Sequence, residues 1–286
     1  MNSVTEAFLA HTRPRLAFTL KLLFSEAQTF GQPSLWLGSV IQLVQPLGFQ
    51  ERAIRTAVFR LAEHQLIEVE RHGRRSLCML TAAAASTLQE ARQRLNYPPA
   101  RSFAEDWTML INSGGMGAAR YAAARLQLLQ QDFCQLAPNV LARPAAYERS
   151  APGSLHIGEL RGLARFEVSG GQLAAAVRQP LFGKTGWVLS EAATDYAQFQ
   201  RRFGAWRPLL AQAGAISDEQ AFHLRLLVSQ GYQHCRLSDP LLPQELLPES
   251  WPAMAAYQTY MSIYAGCAPQ AQRYLLNAQE HTSCNN

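Results

Sequence analysis

LWLGSVIQLVQPLGFQERAIRTAVFRLAEHQLIEVERHGRRSLCMLT, residues 35 to 81, is the stretch on which the reading of this 286-residue chain turns. Leu35, Trp36 and Leu37 read as a short extended piece. Gly38 and Ser39 then open a helix with Val40, Ile41, Leu43 and Val44 as its apolar stripe, which ends near Pro46, Leu47 and Gly48. A tight turn leads into a further helix from about Glu51 to His64. Leu66 to Arg71 and Ser76 to Leu80 follow as two extended runs around His72, Gly73 and Arg74, and glycine at such a tip supplies the positive φ of a tight hairpin.

The helix at 51–64 divides its residues by chemistry. At about 100° per residue with Arg52 at zero, Ile54, Val58 and Leu61 fall between roughly 180° and 240°. Arg55, Thr56 and Arg60 fall between about 300° and 80°, with Phe59 and Glu63. One face packs and the other presents three arginines, which suits insertion into a major groove whose guanine edges are best read by Arg. Arg71, His72, Arg74 and Arg75 lie within five residues of the following hairpin, where they suit a phosphate backbone or a minor groove. Either element alone is equally well an ordinary solvated face; the ordered pair favours duplex DNA. The expected DNA-binding residues are therefore Arg52, Arg55, Thr56, Arg60, Arg71, His72, Arg74 and Arg75. Phe59 either packs under the hairpin or meets a thymine methyl, and packing is the preferred expectation.

Outward from this stretch, Leu16, Leu20, Leu23 and Phe24 share one face of a first helix that stops before Gly31. TAAAASTLQEARQRL, Thr81 to Leu95, is a good helix sequence, closed by Tyr97, Pro98, Pro99 and Ala100, the clearest linker in the chain. Residues 107 to about 190 alternate strand (Trp107 to Ile111), helix (Ala118 to Gln131), strand (Gln135 to Arg143), an unassigned connector and a strand (Leu163 to Ser169). From Leu189 the pattern is helical, with Tyr196, Phe199, Phe203 and Trp206 as core residues of one helix. A last helical block runs from Ser217 to Ala278, interrupted by a proline-rich elbow at Asp239 to Pro252. The expected class is mainly α with α+β parts, divided at 1–97, 101–188 and 189–286.

Charge placement agrees with the reading of the N-terminal third. Residues 1 to 95 carry 11 Arg and Lys against 7 Asp and Glu, whereas residues 96 to 286 are nearly balanced at 15 against 14. Lys21 and Lys184 are the only lysines, and the planar arginine fork bonds phosphates and guanine edges bidentately. Cys78, Cys134, Cys235, Cys267 and Cys284 show no CxxC and no histidine at metal-ligand spacing, so neither a disulfide framework nor a metal site is expected. MNSVTEAFLAHTRPR lacks the apolar core of a secretory signal and no run is long enough to span a bilayer, so a cytoplasmic location is expected. Seven scattered histidines offer no Ser/His/Asp order, so no catalytic residues, no enzyme activity and no cofactor are expected.

The same residues resemble a known family. Leu35 to Thr81 is similar to the winged-helix segment of the phenylacetate-degradation repressor (PaaX) family. AFHLRLLVSQGYQHCRLSDPLLPQELLPESWP, Ala221 to Pro252, resembles its C-terminal signature, with DPLLP at Asp239 to Pro243 and ELLP-xx-W at Glu245 to Trp251. Phe133 to Pro144 and Trp187 to Phe199 resemble its middle. The resemblance implies an N-terminal winged helix-turn-helix, a central ferredoxin-like α+β domain and a C-terminal helical domain. It further implies a homodimer on palindromic operators, repressing an aromatic-acid catabolic operon of the phenylacetate type and released by an aromatic acyl-CoA such as phenylacetyl-CoA. The chain departs from the family after the first central strand, where Asn112 to Gly117 (NSGGMG) replaces an acidic, proline-containing, arginine-rich loop.

Four residues are held out for a ligand. Gly114 and Gly115 lie in the NSGGMG loop, whose amides suit a CoA pyrophosphate, although the spacing is that of no nucleotide fingerprint and a plain connection is the commoner meaning. Arg225 and Arg236 suit a charged group beside the Asp239 to Trp251 elbow, whose prolines and leucines are otherwise simply packing. Aromatics such as Tyr196 would also suit an aromatic acyl group. Ferredoxin-like domains resemble as well a small CRISPR-associated nuclease subunit with a metal-binding aspartate after its first strand; Asn112 stands nearest that place here and suits a hard cation poorly. A second hypothesis is a CoA-ester-binding enzyme or sensor using the winged helix for protein docking.

Overall fold

In the computed structural model, which describes residues 14–99, 106–131, 133–144, 161–169, 189–210, 216–239, 244 and 247–284, Leu20, Leu23 and Phe24 turn inward on helix α1 (Leu16–Thr29). Gly31, at φ +74°, takes the chain away from the helix end, where a glycine pays no Cβ penalty. Strand β1 (Ser34–Trp36) runs directly into α2 (Leu37–Val44), which buries Val40, Ile41, Leu43 and Val44. A 3₁₀ turn at Gln45–Leu47, closed by Gly48 at φ +88°, leads to α3 (Glu51–Glu63) with Ile54, Val58 and Leu61 buried. The expected apolar stripes at 40–44 and 54–61 are thus buried, while Leu37, expected to be extended, is the first residue of α2.

The hairpin is tighter than its sequence suggested. Strands β2 (Ile67–His72) and β3 (Arg75–Leu80) pair to their ends, His72 opposite Arg75, so only Gly73 and Arg74 form the loop. Gly73 has φ +62° in the first loop position, as a two-residue II′-type turn requires. The antiparallel sheet is ordered β1–β3–β2. Thr81 joins hairpin to helix α4 (Ala82–Leu95): its hydroxyl donates to the Gln65 carbonyl at 2.9 Å and accepts from the Ala84 amide at 3.3 Å.

Residues through Arg92 form one compact unit with Phe199–Tyr232 and the residues from Gln258 onward. Its later helices include α7 (Trp206–Leu210), most of α8 (Asp218–Ser238), much of α9 (Ala253–Gly266) and α10 (Ala268–Cys284). Side chain to backbone hydrogen bonds join these helices to the N-terminal elements. The Gln279 amide group accepts from Trp36 N at 3.1 Å and donates to Ser34 O at 2.8 Å; Ser39 Oγ donates to Ala278 O at 2.9 Å; His223 Nε2 lies 2.9 Å from Leu43 O. The stacked rings of Tyr232, Tyr260 and Tyr264 fill the space between helices.

The second unit comprises Gln93–Gln198 and Gln233–Tyr257. Strand β4 (Trp107–Ile111) and helix α5 (Ala118–Gln130) are followed by β5 (Cys134–Ala137), β6 (Val140–Pro144) and β7 (Ala164–Val168), all antiparallel in the order β5–β6–β4–β7. The single strand expected over Gln135 to Arg143 is instead a hairpin. Pro138 cannot donate to a ladder and Asn139 suits a turn, so the chain reverses between them. Leu110, Met116, Leu128, Phe133 and Leu141 form the core of this unit.

Helix α6 (Leu189–Phe203) buries Tyr196, Phe199 and Phe203 as its spacing predicts. Trp206 does not continue the stripe: Gly204 bonds back to Gln200 O at 2.8 Å, the helix stops, and Trp206 opens α7. Of the elbow, Asp239 is buried and accepts from Tyr196 Oη at 2.7 Å, while Leu241, Leu242 and Leu246 lie outside the described residues. The architecture is mainly helical with two small antiparallel sheets.

Candidate nucleic-acid interface

The burial of Ile54, Val58 and Leu61 fixes the rotation of α3 about its own axis, and that rotation leaves Arg52, Arg55, Thr56 and Arg60 exposed. Arg55 lies along the helix surface. Its Nε and Nη2 both donate to Glu51 Oε1, at 2.9 and 2.7 Å, with the two side chains 54% and 52% exposed. A pair so exposed is worth roughly 0.3–0.5 kcal/mol, so a phosphate or guanine edge can take the guanidinium from it. The Thr56 hydroxyl donates to Arg52 O at 2.9 Å and keeps its acceptor side outward. Phe59 is 64% exposed, which overturns the expectation that it packs under the hairpin. The ring projects from the polar face because the inward positions of the helix are already filled by Ile54, Val58 and Leu61.

The four basic side chains of the hairpin separate into two pairs. Arg71 and Arg74 are exposed at its end. His72 and Arg75 instead bracket Trp36, the histidine ring edge-on at 5.7 Å and the Arg75 guanidinium 5.7 Å over the indole. His72 Nε2 also lies 3.3 Å from Glu70 Oε2. Trp36 thereby braces the hairpin from β1, a role its place in a short extended run did not announce. Glu51 was likewise missed, although a Glu four residues before an Arg on one helix is a readable signal. The hairpin and α3 belong to the same compact unit, so one body carries both sets of exposed cations.

The residues held out for a ligand are divided between the two units. Arg225 belongs to the first unit, where it is buried and bonded to Glu26 Oε2 at 2.6 Å and to the Tyr264 carbonyl. Arg236, Gly114 and Gly115 belong to the second. Arg236 is buried. In the NSGGMG loop, Asn112 Oδ1 accepts from the Gly114 amide at 3.2 Å and the Met116 amide at 3.1 Å, while its Nδ2 donates to Met116 O at 2.9 Å. Two of the amides that suited a phosphate are thus occupied within the loop. A Cβ on Gly115 would lie 2.8 Å from Gly162 O, so close backbone packing accounts for that glycine. Among the described residues no group of three or more His, Cys, Asp or Glu is placed to hold a metal, and no helix is long and apolar enough to cross a membrane.

Comparison with known proteins covers both ends of the chain. The signature of the family described as PaaX-like protein matches residues 19–84, and that of the PaaX-like protein C-terminal domain matches residues 187–277. The transcriptional repressor PaaX of Escherichia coli (strain K12) is 32% identical over 261 residues, spanning 88% of this chain and 80% of that protein. Among solved structures, the uncharacterized protein Rv0674 from Mycobacterium tuberculosis superposes with a TM-score of 0.53 at 19% identity, covering 90% of this chain and 98% of that one, a likeness of fold.

Proposed function

The chain belongs to the PaaX-like family, and on that premise we propose that it is a DNA-binding transcriptional repressor, not an enzyme, whose α3 enters the major groove of an operator while the β2–β3 hairpin contacts the adjacent backbone. The observation that carries the reading is the division of α3, with Ile54, Val58 and Leu61 buried and Arg52, Arg55 and Arg60 in water, followed in the same unit by exposed Arg71 and Arg74. In this reading α1–α3 with the hairpin are a winged helix-turn-helix. The sheet order β5–β6–β4–β7 supports a ferredoxin-like middle, because numbering those strands one to four gives the order 2-3-1-4 of a βαββαβ unit. The second helix of such a unit would fall outside the described residues. The sequence division at 1–97, 101–188 and 189–286 belongs to the same proposal; the compact units of the structure cut across it.

The pathway controlled is proposed to be aromatic-acid catabolism of the phenylacetate type. A cytoplasmic homodimer would sit on a palindromic site and leave it when an aromatic acyl-CoA such as phenylacetyl-CoA favours a conformation that binds DNA less well. A coupling of about 1–3 kcal/mol would lower affinity roughly 5- to 150-fold, enough for a switch. Fluorescence anisotropy with the region upstream of its own operon tests this directly. Binding should weaken steeply between about 50 and about 200 mM salt, and phenylacetyl-CoA should release the complex. Absence of salt-dependent binding anywhere in that region would overturn the DNA-binding reading, and release by no acyl-CoA would overturn the effector.

A further inference from the structure

Phe59 stands apart from its surroundings. At 64% exposure it is the most exposed large apolar side chain among the described residues, and it projects from a helix whose other large apolar residues, Ile54, Val58 and Leu61, are buried. Apart from Ala62 three residues after it, its helical neighbours on this face are charged or polar: Arg55 four residues before it, Thr56 three before it, Arg60 beside it and Glu63 four after it. An exposed phenylalanine on a solvated face gains nothing for folding, so what meets it in use must be apolar at one point and anionic around it.

A protein or lipid surface would offer a broad apolar patch, yet the ring stands as a single large apolar group on a face that carries Arg52, Arg55 and Arg60 beside Glu63. The floor of the major groove has the complementary character: phosphates on either side, acceptor edges at guanine, and one apolar group, the C5-methyl of thymine. We propose that Phe59 reads a thymine methyl in the operator and so sets a base preference that the arginines do not. This rests on the DNA-binding reading above and adds to it a specificity determinant. Arg52, Arg55 and Arg60 supply contacts to guanine and phosphate; Phe59 supplies the apolar contact that distinguishes T from C or U at one position of each half-site.

Removal of the methyl alone tests it. The natural duplex spanning the protein's footprint in its own upstream region is compared with a set of duplexes in which one thymine at a time is replaced by deoxyuridine, which keeps the pairing. Full-length wild-type protein should lose roughly fourfold in affinity at one thymine per half-site, the effect of exposing one methyl-sized group. Phe59→Ala should bind natural DNA about as weakly as wild type binds the uracil duplex, and should be indifferent to the replacement. Phe59→Leu, which keeps an apolar tip, should retain part of the discrimination and guards against a folding defect in the alanine variant. A wild-type protein indifferent to every uracil, or a Phe59→Ala variant that keeps the wild-type ratio, overturns the proposal. So does a Phe59→Ala variant that loses self-association in sedimentation while keeping that ratio, since the ring would then serve a protein contact. Failure of the underlying reading looks different: Arg55→Ala and Arg60→Ala would then leave binding and its salt dependence unchanged.

Discussion

Arg225 Nε donates to Glu26 Oε2 across 2.6 Å, and each side chain is only 4% exposed. This buried ion pair ties α8 to α1. The Arg225 guanidinium lies 3.4 Å over the Tyr264 ring and 5.2 Å from that of Phe30, and Nη1 donates to the Tyr264 carbonyl. Two charges removed from water are tolerable because each finds an opposite charge and Arg225 finds further acceptors and π faces. The expected role of Arg225 as ligand charge has therefore to be weighed against a structural one that already engages it.

Breaking this pair should be expensive, and replacing it should not. Arg225→Met or Glu26→Leu alone leaves a buried charge without its partner and should cost about 3–5 kcal/mol in urea unfolding. The double variant should recover most of that loss, because an apolar pair needs no counter-charge. Equal, additive losses in a double-mutant cycle would show that the two residues do not interact in solution.

His223 sets an acid limit on stability. Burial lowers its pKa below the ordinary 6.5, against the opposing influence of the Leu43 carbonyl bond and of the Glu219 charge. Below about pH 6.5 the unfolded chain takes up a proton that the folded chain refuses, so stability present at neutral pH declines as the pH falls toward the lowered folded value. The urea midpoint should drop between about pH 7.5 and about pH 5, and His223→Gln, which can still donate to Leu43 O, should flatten that drop. An unchanged pH slope in the variant would place the proton uptake elsewhere.

Arg55 and Glu51 make a paired test of the proposed role of α3. Arg55→Ala should cost roughly 1–3 kcal/mol of operator affinity and relax the preference at one base position. Glu51→Ala removes both the weak clamp on Arg55 and a negative charge near the DNA, so it should strengthen binding to unrelated sequence. Anisotropy titrations on cognate and scrambled duplexes separate the two effects.

Arg74 sits in the two-residue loop beyond the last paired strand residues, His72 and Arg75. Arg74→Ala should weaken all sequences alike and reduce the magnitude of the slope of log K against log salt by about 0.9, one phosphate contact. Arg75→Ala acts otherwise, because Arg75 rests on Trp36 and its loss should also loosen the hairpin. If Arg74→Ala changed base preference instead of the salt slope, the hairpin would be reading bases.

Local periodicity made the head legible. The stripes Val40–Val44 and Ile54–Leu61, the glycines at 31, 48 and 73 and the exposed arginines of α3 follow from spacings of a few residues, which a helix or hairpin imposes without reference to the rest of the chain. The extended run at 135–143 was misread because its apolar pattern outweighed a Pro138–Asn139 turn signal in its middle. Trp206 was misread because Gly204, which ends its helix, breaks no spacing.

By itself, then, the amino-acid order determined which helices and strands form between residues 14 and 99 and which face of α3 carries charge, since those are decided by neighbours three or four positions away. Only the tertiary structure decided that Phe59 stays in water, that Trp36 braces the hairpin, and that His223, Arg225 and Gln279 hold the head from helices near the other end of the chain. The physical reason is that a side chain's partner in the core is chosen by packing across long loops, and no spacing within the chain encodes which distant surface will come to cover it.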